Sequence, residues 1–276
     1  MNFLLIWLKK EKIMEAQKII KYLDKKFSPK LAANWDNSGV QIYQKQLPNL
    51  LEPINKVLVC LDLNQKVVDY AVEHHFELII TRHPLVFSSL VVENKQKKSI
   101  FAKLKTNNIL VFSIHTNYDA SPNQNLLKIV GEKLPILKNR RFGQDNEGYY
   151  LRLKQAVKLP DFIKALQAIF PNSSMQMNLI ADGQGFVEEF YLIPGAGGSA
   201  LTSLKLTNTL LVTGEAKWNE LVSADDFNNG VILLGHYMEE YFVGDLVSLL
   251  TNAFERELIV EGFDIKNQLI NVEGRK

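Results

Sequence analysis

The chain's tightest constraint on its fold is a rhythm of short apolar runs. They stand at Val57-Leu58-Val59-Cys60-Leu61, Leu78-Ile79-Ile80, Ile109-Leu110-Val111-Phe112 and Val231-Ile232-Leu233-Leu234, the last bounded by Gly230 and Gly235. Such runs are short for helices and read as strands buried on both faces. Asn64 is placed to cap a helix carrying Val67, Val68 and Ala71, and residues 98–104 and 126–130 supply further helical segments. Strands that alternate with helices imply right-handed crossovers and a mostly parallel sheet covered on both faces. The expected fold class is α/β.

A helix is also expected over residues 14–27, where Ala16, Ile19, Ile20, Leu23 and Phe27 fall at helical spacing before Ser28-Pro29 stops the run. Past about residue 135 the texture changes. Lys138-Asn139-Arg140-Arg141 and Gln144-Asp145-Asn146-Glu147-Gly148 read as a solvated boundary. Beyond it, strands at 149–153, 175–180, 186–193 and 210–213 alternate with helices starting at Pro160 and near Ala200, which composes a second α/β lobe. The expected organisation is a first lobe from 14–137 and 231–276 and a second over 138–230. The strand ending at Leu234, a helix from Tyr237 to about Phe254, and Leu258-Ile259-Val260 would then return to the first sheet. Residues 1–13 read as an N-terminal extension, because Met14 opens a cleaner helix than Met1 does.

Composition narrows the classes. A net charge of +2 argues against a generally basic nucleic-acid binder, and the basic clusters at 95–98 and 138–141 lack interleaved aromatics. The single cysteine, Cys60, lies inside a strand run and excludes an internal disulfide. No apolar stretch approaches the roughly 20 residues of a membrane helix. The apolar N-terminus lacks the basic residues that precede a signal-peptide core, so a cytoplasmic location is expected.

In open α/β sheets, ligands sit beyond the carboxyl ends of strands. The run ending at Ile80 leads into Thr81-Arg82-His83-Pro84, the one ending near Ile114 into His115-Thr116-Asn117-Tyr118-Asp119, and the one ending at Leu234 into Gly235-His236-Tyr237-Met238-Glu239-Glu240. Three of the 5 histidines therefore stand at strand ends, and His74 and His75 read as surface residues of a helix. On an α-helix His236 and Glu240 share one face, one turn apart. Histidine with carboxylate and no thiolate suits zinc, iron, manganese, cobalt or nickel. Asp119 or Glu240 could bridge two such ions, an arrangement that activates water. Gly195-Ala196-Gly197-Gly198-Ser199 is either a tight strand-to-helix turn or a backbone cradle for an anion. Glu215 either orients water or caps the next helix, and Asp36-Asn37 reads as an Asx-type turn.

Together these motifs resemble one family. Ile79 through Phe87 resembles its strand running into a His-His-Pro motif, and His115 through Asp119 its His-Thr-Asn-x-Asp motif. Trp35-Asp36-Asn37-Ser38-Gly39, Gly195 through Ser199, Thr213-Gly214-Glu215, and Gly235 through Glu240 follow in order. The chain is similar, from about Met14 to its end, to the GTP cyclohydrolase 1 type 2 homologue family, also called Nif-three-like. The resemblance implies two α/β lobes with a dinuclear metal site in the cleft between them, and a toroidal homohexamer. By motif it places His83, Asp119, His236 and Glu240 as metal ligands for one or two divalent ions.

Two positions depart from the pattern. Arg82 stands where the family has its first histidine, and a guanidinium cannot donate a lone pair to a metal. One metal position is therefore expected to be weakened or empty. Arg82 either turns outward to bind an anionic group of a small substrate or marks a copy without activity. Trp218-Asn219 stands where many relatives carry histidine. The functional expectation is a metal-dependent hydrolase of a small nucleotide-like or heterocyclic substrate, with Arg82, His115 and Glu215 in catalysis or substrate binding and Gly195, Gly197, Gly198 and Ser199 as the anion loop. The alternative is a non-catalytic, metal-binding regulatory protein or scaffold acting through protein partners.

Overall fold

The apolar runs become strands in two separate sheets. In a computed structural model, residues 14–41, 50–86, 95–255 and 257–267 are described. The expected extension over 1–13 lies outside them. Among the described residues eleven strands, numbered along the chain, are β1 (Gly39–Val40), β2 (Lys56–Cys60), β3 (Leu78–Thr81), β4 (Leu110–Ser113), β5 (Ile136–Phe142), β6 (Gly148–Lys158), β7 (Gln176–Met177), β8 (Phe186–Ile193), β9 (Leu210–Thr213), β10 (Gly230–Leu233) and β11 (Ile259–Phe263). The first sheet has the order β1-β4-β3-β2-β11 and the second β5-β6-β8-β9-β10-β7. Strands β4, β3, β2 and β11 run parallel, with β1 antiparallel at the edge.

Period-two alternation lets β2 serve two cores at once. Its Val57 and Val59 pack with Ile19 and Leu23 of the helix Ala16–Lys26 and with Phe242 and Leu246 of the helix Tyr241–Ala253. Its Leu58 and Cys60 face the other way, onto Val67 and Val68 of the helix Gln65–Glu73 and Leu104 of the helix Lys95–Thr106. Asn64 caps the first of these, accepting from the Val67 amide at 3.1 Å. The second sheet repeats the scheme. Leu151, Phe190 and Val212 pack under Phe162 and Leu166, while Leu211 and Val231 pack against Leu201 and Ala224. No described helix is long and apolar enough to cross a membrane.

Three local expectations need correction. Strand β10 does not return to the first sheet; it pairs parallel with β9 and antiparallel with β7. The helix Trp218–Asp226 links β9 to β10 as a local β–α–β unit, and elements consecutive in sequence usually pair in space. Only the helix Tyr241–Ala253 and β11 return to the first lobe. The polar stretch 138–141 is strand rather than boundary loop: it belongs to β5, an outer strand paired with β6 on one side, where exposed charge is the usual composition. Residues 175–180 hold only the short β7, because Asn178 then caps the helix Leu179–Asp182 and accepts from the Val231 amide with the same Oδ1.

Candidate metal centre

The carboxyl ends of β2, β3 and β4 meet those of β9 and β10 in one cleft. After β3 the chain turns tightly against the end of β2, with the amides of Arg82 and His83 both donating to the Leu61 carbonyl at 3.1 Å. That turn delivers the His83 imidazole beside Asp62, two residues past β2. After β10, Gly235 takes a left-handed φ of +76° and starts a 3-10 helix over His236–Glu240. A 3-10 helix has three residues per turn, so side chains at i and i+3 eclipse. His236 and Glu239 therefore point the same way.

The expected partner Glu240 is turned away from His236. Glu240 accepts a hydrogen bond from Asn172 at 2.7 Å and lines a different cavity, with Tyr237 and Met238. Glu239 takes its place in the cleft and is only 3% exposed. Its Oε2 lies 3.0 Å from His83 Nε2 and 3.3 Å from His236 Nε2, and the two Nε2 atoms are 3.2 Å apart.

Both imidazoles are held from behind. His83 Nδ1 lies 2.8 Å from Asp62 Oδ1, and His236 Nδ1 lies 3.1 Å from Glu215 Oε2. A carboxylate on Nδ1 fixes the tautomer that turns the Nε2 lone pair inward. Burial alone would lower the His83 pKa, but its hydrogen bonds to Asp62 and Glu239 carry it up to about 9. The Glu239 carboxyl, which burial would raise, is held well below the usual range by the Arg82 charge and both histidines.

The donor set fits a divalent ion. Two ligands each about 2.05 Å from one ion at a near-tetrahedral angle stand roughly 3.3 Å apart. The separations here are 3.0, 3.2 and 3.3 Å. Among the described residues, His83, His236 and Glu239 form the group able to hold an ion.

Arg82 is 1% exposed and does not turn outward to a substrate. Its Nη2 donates to Asp119 Oδ2 at 2.6 Å and to Glu239 Oε1 at 2.8 Å, and its Nη1 donates to the His115 carbonyl at 2.6 Å. The guanidinium lies 5.3 Å from the Tyr118 ring centre and 5.9 Å from that of Phe242. Asp119 is thus brought near the centre but engaged by Arg82 rather than by the histidines.

His115 stands beside His83, ring centres 5.4 Å apart, with Nδ1 at 2.8 Å from Asp36 Oδ1. Burial lowers its pKa despite Asp36, and the Arg82 charge adds to the effect. Asp36 is more than a local turn. Its Oδ2 also accepts from the Thr116 hydroxyl at 2.5 Å and the Thr116 amide at 3.1 Å, tying the loop after α-helical residue Lys26 to the start of the helix Thr116–Ala120.

The glycine-rich loop does not form an anion cradle. The Gly197 amide donates to the Thr213 hydroxyl at 3.0 Å and the Gly198 amide to the Glu215 carbonyl at 3.0 Å, so both are spent within the fold. Gly195, with φ +65°, is instead a clearance: a Cβ there would stand 2.8 Å from Glu239 Oε1. Ser199 is exposed and lines the cleft. The cleft encloses about 410 Å³, and its described lining contains Asp145 and Glu147 but no lysine or arginine.

Of the residues singled out in the sequence, His83, His236, Asp119, His115 and Glu215 are brought together here, joined by Glu239, Asp62 and Asp36, which carry no site role in the sequence motifs. Asp62 carried a usable signal, since it follows a parallel strand as directly as His83 does. Glu239 carried none beyond its place beside Glu240, because an α-helix and a 3-10 helix favour different neighbours.

A sequence profile of the Duf34/NIF3 family (NGG1p interacting factor 3) matches residues 14–268. A protein of Mycoplasmopsis pulmonis named "GTP cyclohydrolase 1 type 2 homolog" is 27% identical over 254 residues, covering 90% of this chain and 98% of its own. Among solved structures, a Bacillus cereus protein related to NIF3 superposes with a TM-score of 0.77 at 15% identity, covering 95% of this chain and 100% of its own. Reduced HcgD from Methanocaldococcus jannaschii gives 0.76 at 19% identity, covering 91% and 98%. Those two likenesses concern the fold; the profile match settles membership, and the chain belongs to the Duf34/NIF3 family.

Proposed function

We propose that the chain is a metal-dependent hydrolase of a small heterocyclic molecule, with His83, His236 and Glu239 holding the ion. The observation that carries this reading is the convergence of three donor atoms at metal-ligand spacing, with each imidazole anchored at Nδ1 by its own carboxylate. A bound divalent ion supplies Lewis-acid activation of water or of a polar substrate group. The protein's part is to let each Nδ1–H donate to its carboxylate, His83 to Asp62 and His236 to Glu215, and so keep both Nε2 lone pairs directed inward. His115 lines the same cleft, with its Nδ1 held by Asp36.

The cleft's chemistry argues for the heterocyclic rather than the polyphosphate side of the substrate class. Arg82 is engaged by Asp119 and Glu239, and the described lining offers no lysine or arginine to pair with a triphosphate. Trp35, 66% exposed at the rim and edge-on to His115 at 5.7 Å, offers a flat face for a neutral or cationic ring. Assembly into a homohexamer and a cytoplasmic location belong to the same proposal.

The test is elemental analysis of protein purified without chelator, beside turnover on a panel of neutral cyclic amides and amidines. The reading expects bound metal, turnover lost on chelation, and both lost in His236→Ala at unchanged fold. Metal without turnover on any of the panel would favour the second reading, a metal-binding scaffold for protein partners. Arg82, which occupies a position where the family's pattern has a ligand, is the observation that favours it.

A further inference from the structure

We infer that Arg82 is a built-in cation standing in a second ion position, so that this centre takes one exchangeable metal ion rather than two. The inference rests on the reading of His83, His236 and Glu239 as a metal centre.

Glu239 divides its two oxygens between two kinds of cation site. Oε2 faces the paired histidine nitrogens, and Oε1 accepts from Arg82 Nη2 at 2.8 Å. The same Nη2 donates to Asp119 Oδ2 at 2.6 Å. One nitrogen thus sits between two buried carboxylates, where a cation shared by Asp119 and Glu239 would sit. Two buried carboxylates without a positive charge between them are strongly unfavourable.

The surroundings fit a flat organic cation. Tyr118 and Phe242 present ring faces to the guanidinium, and neither ring donates to a metal. Nη1 is fixed by the His115 carbonyl, so the side chain cannot swing aside without breaking three charge-assisted contacts. Asp119 Oδ1 is buried and has no hydrogen-bond partner among the described residues. It is a spare carboxylate oxygen beside the position Arg82 fills, available to an ion were the guanidinium removed.

The experiment counts ions. Wild type, Arg82→Ala and Arg82→Lys are stripped with chelator, titrated with Zn²⁺ or Mn²⁺ alone, and read by native mass spectrometry and thermal melting. Wild type is expected to hold one ion per chain. Arg82→Ala is expected to melt on the order of 10 °C lower when metal-free, to bind a second ion, and to recover most of that loss on metal addition. Arg82→Lys, which keeps a charge, is expected to stay at one ion.

Two ions in wild type would overturn the inference while leaving the metal centre standing, and that count needs no variant to fold. A single ion in a folded Arg82→Ala would also overturn it. No ion in wild type but one in Arg82→Ala would overturn the histidine centre and support Arg82 as the standing cation. No ion in any of the proteins would overturn both.

Discussion

Glu239 works with both of its oxygens, and Glu240 beside it works with neither at the centre. The difference follows from one turn of backbone. In α geometry His236 would share a face with Glu240; in the 3-10 helix over His236–Glu240 it shares one with Glu239. Glu239→Gln is expected to weaken divalent-ion binding by at least about 100-fold, since it removes the carboxylate charge beside the imidazoles. Glu240→Gln should change it less than about twofold. Calorimetric titration with Zn²⁺ distinguishes them, and equal losses would show that the short helix rewinds in solution. Asp36 makes a second residue-scale case. Burial opposes its charge, yet hydrogen bonds from His115, Ser38 and Thr116 hold its pKa well below that of an ordinary aspartate. A depressed folded pKa contributes stability above the unfolded pKa of about 3.9 that is lost as pH falls through the folded value. Melting temperatures of Asp36→Asn and wild type should therefore differ at pH 6 and converge toward pH 2. A gap that stays constant over that range would rule out this linkage. Pairings such as His115 with Asp36 were not legible in the sequence, because they join positions that only the sheet brings together.

Strand ends, rather than any single motif, assemble the centre. Asp62, His83, His115, Glu215 and His236 all lie within a few residues past the carboxyl end of a strand, and the parallel pairing β2–β3–β4 and β9–β10 sets those ends level. This much was readable from apolar runs followed by ionisable residues. The allocation of β10 was not, since Val231-Ile232-Leu233-Leu234 would suit the interior of either sheet. The polar β5 was missed because an outer strand need not look apolar. The glycine loop after β8 was read correctly as a tight turn in one of its two alternatives, and its glycines now have separate reasons. At Gly197 a Cβ would stand 2.6 Å from Ile193 and from the Thr213 hydroxyl, deep in the second lobe. Gly197→Ala should cost about 1–3 kcal/mol of stability by overpacking without touching the ligands. At Gly195 the clash is with Glu239 itself, so Gly195→Ala should lower metal affinity more than its melting temperature suggests. Measuring both quantities for both variants tests the assignment; the same ratio of effects in the two would refute it.

On the scale of the whole molecule, the centre is a clasp between lobes. Asp62, His83 and Arg82 come from the first sheet, and Glu215, His236 and Glu239 from the second or from the segment that leaves it. The helix Tyr241–Ala253 follows directly, burying Phe242, Leu246 and Leu250 in the first lobe, while Tyr118 donates across to Asp245 at 2.5 Å. An ion bound at the clasp ties both lobes to the folded state and should raise the melting temperature, by about 2.7 kcal/mol of stability at a hundredfold excess over Kd. Proton and ion compete for the same atom. Without metal, the His83 pKa of about 9 lies above its ordinary value, so its contribution to stability is fully present below about pH 6.5 and is lost as pH rises through 9. That contribution is on the order of 3 kcal/mol. Because the ion must displace the His83 proton, its apparent affinity should climb about tenfold per pH unit from roughly 7 to 9 and then level off. Thermal melts with and without Zn²⁺ across pH 6 to 10 should therefore diverge as pH rises, the metal-free curve falling while the metal-bound curve holds. Parallel curves would mean that His83 keeps its proton in the presence of metal, and that the convergence with His236 and Glu239 is a hydrogen-bonded network closing the two lobes.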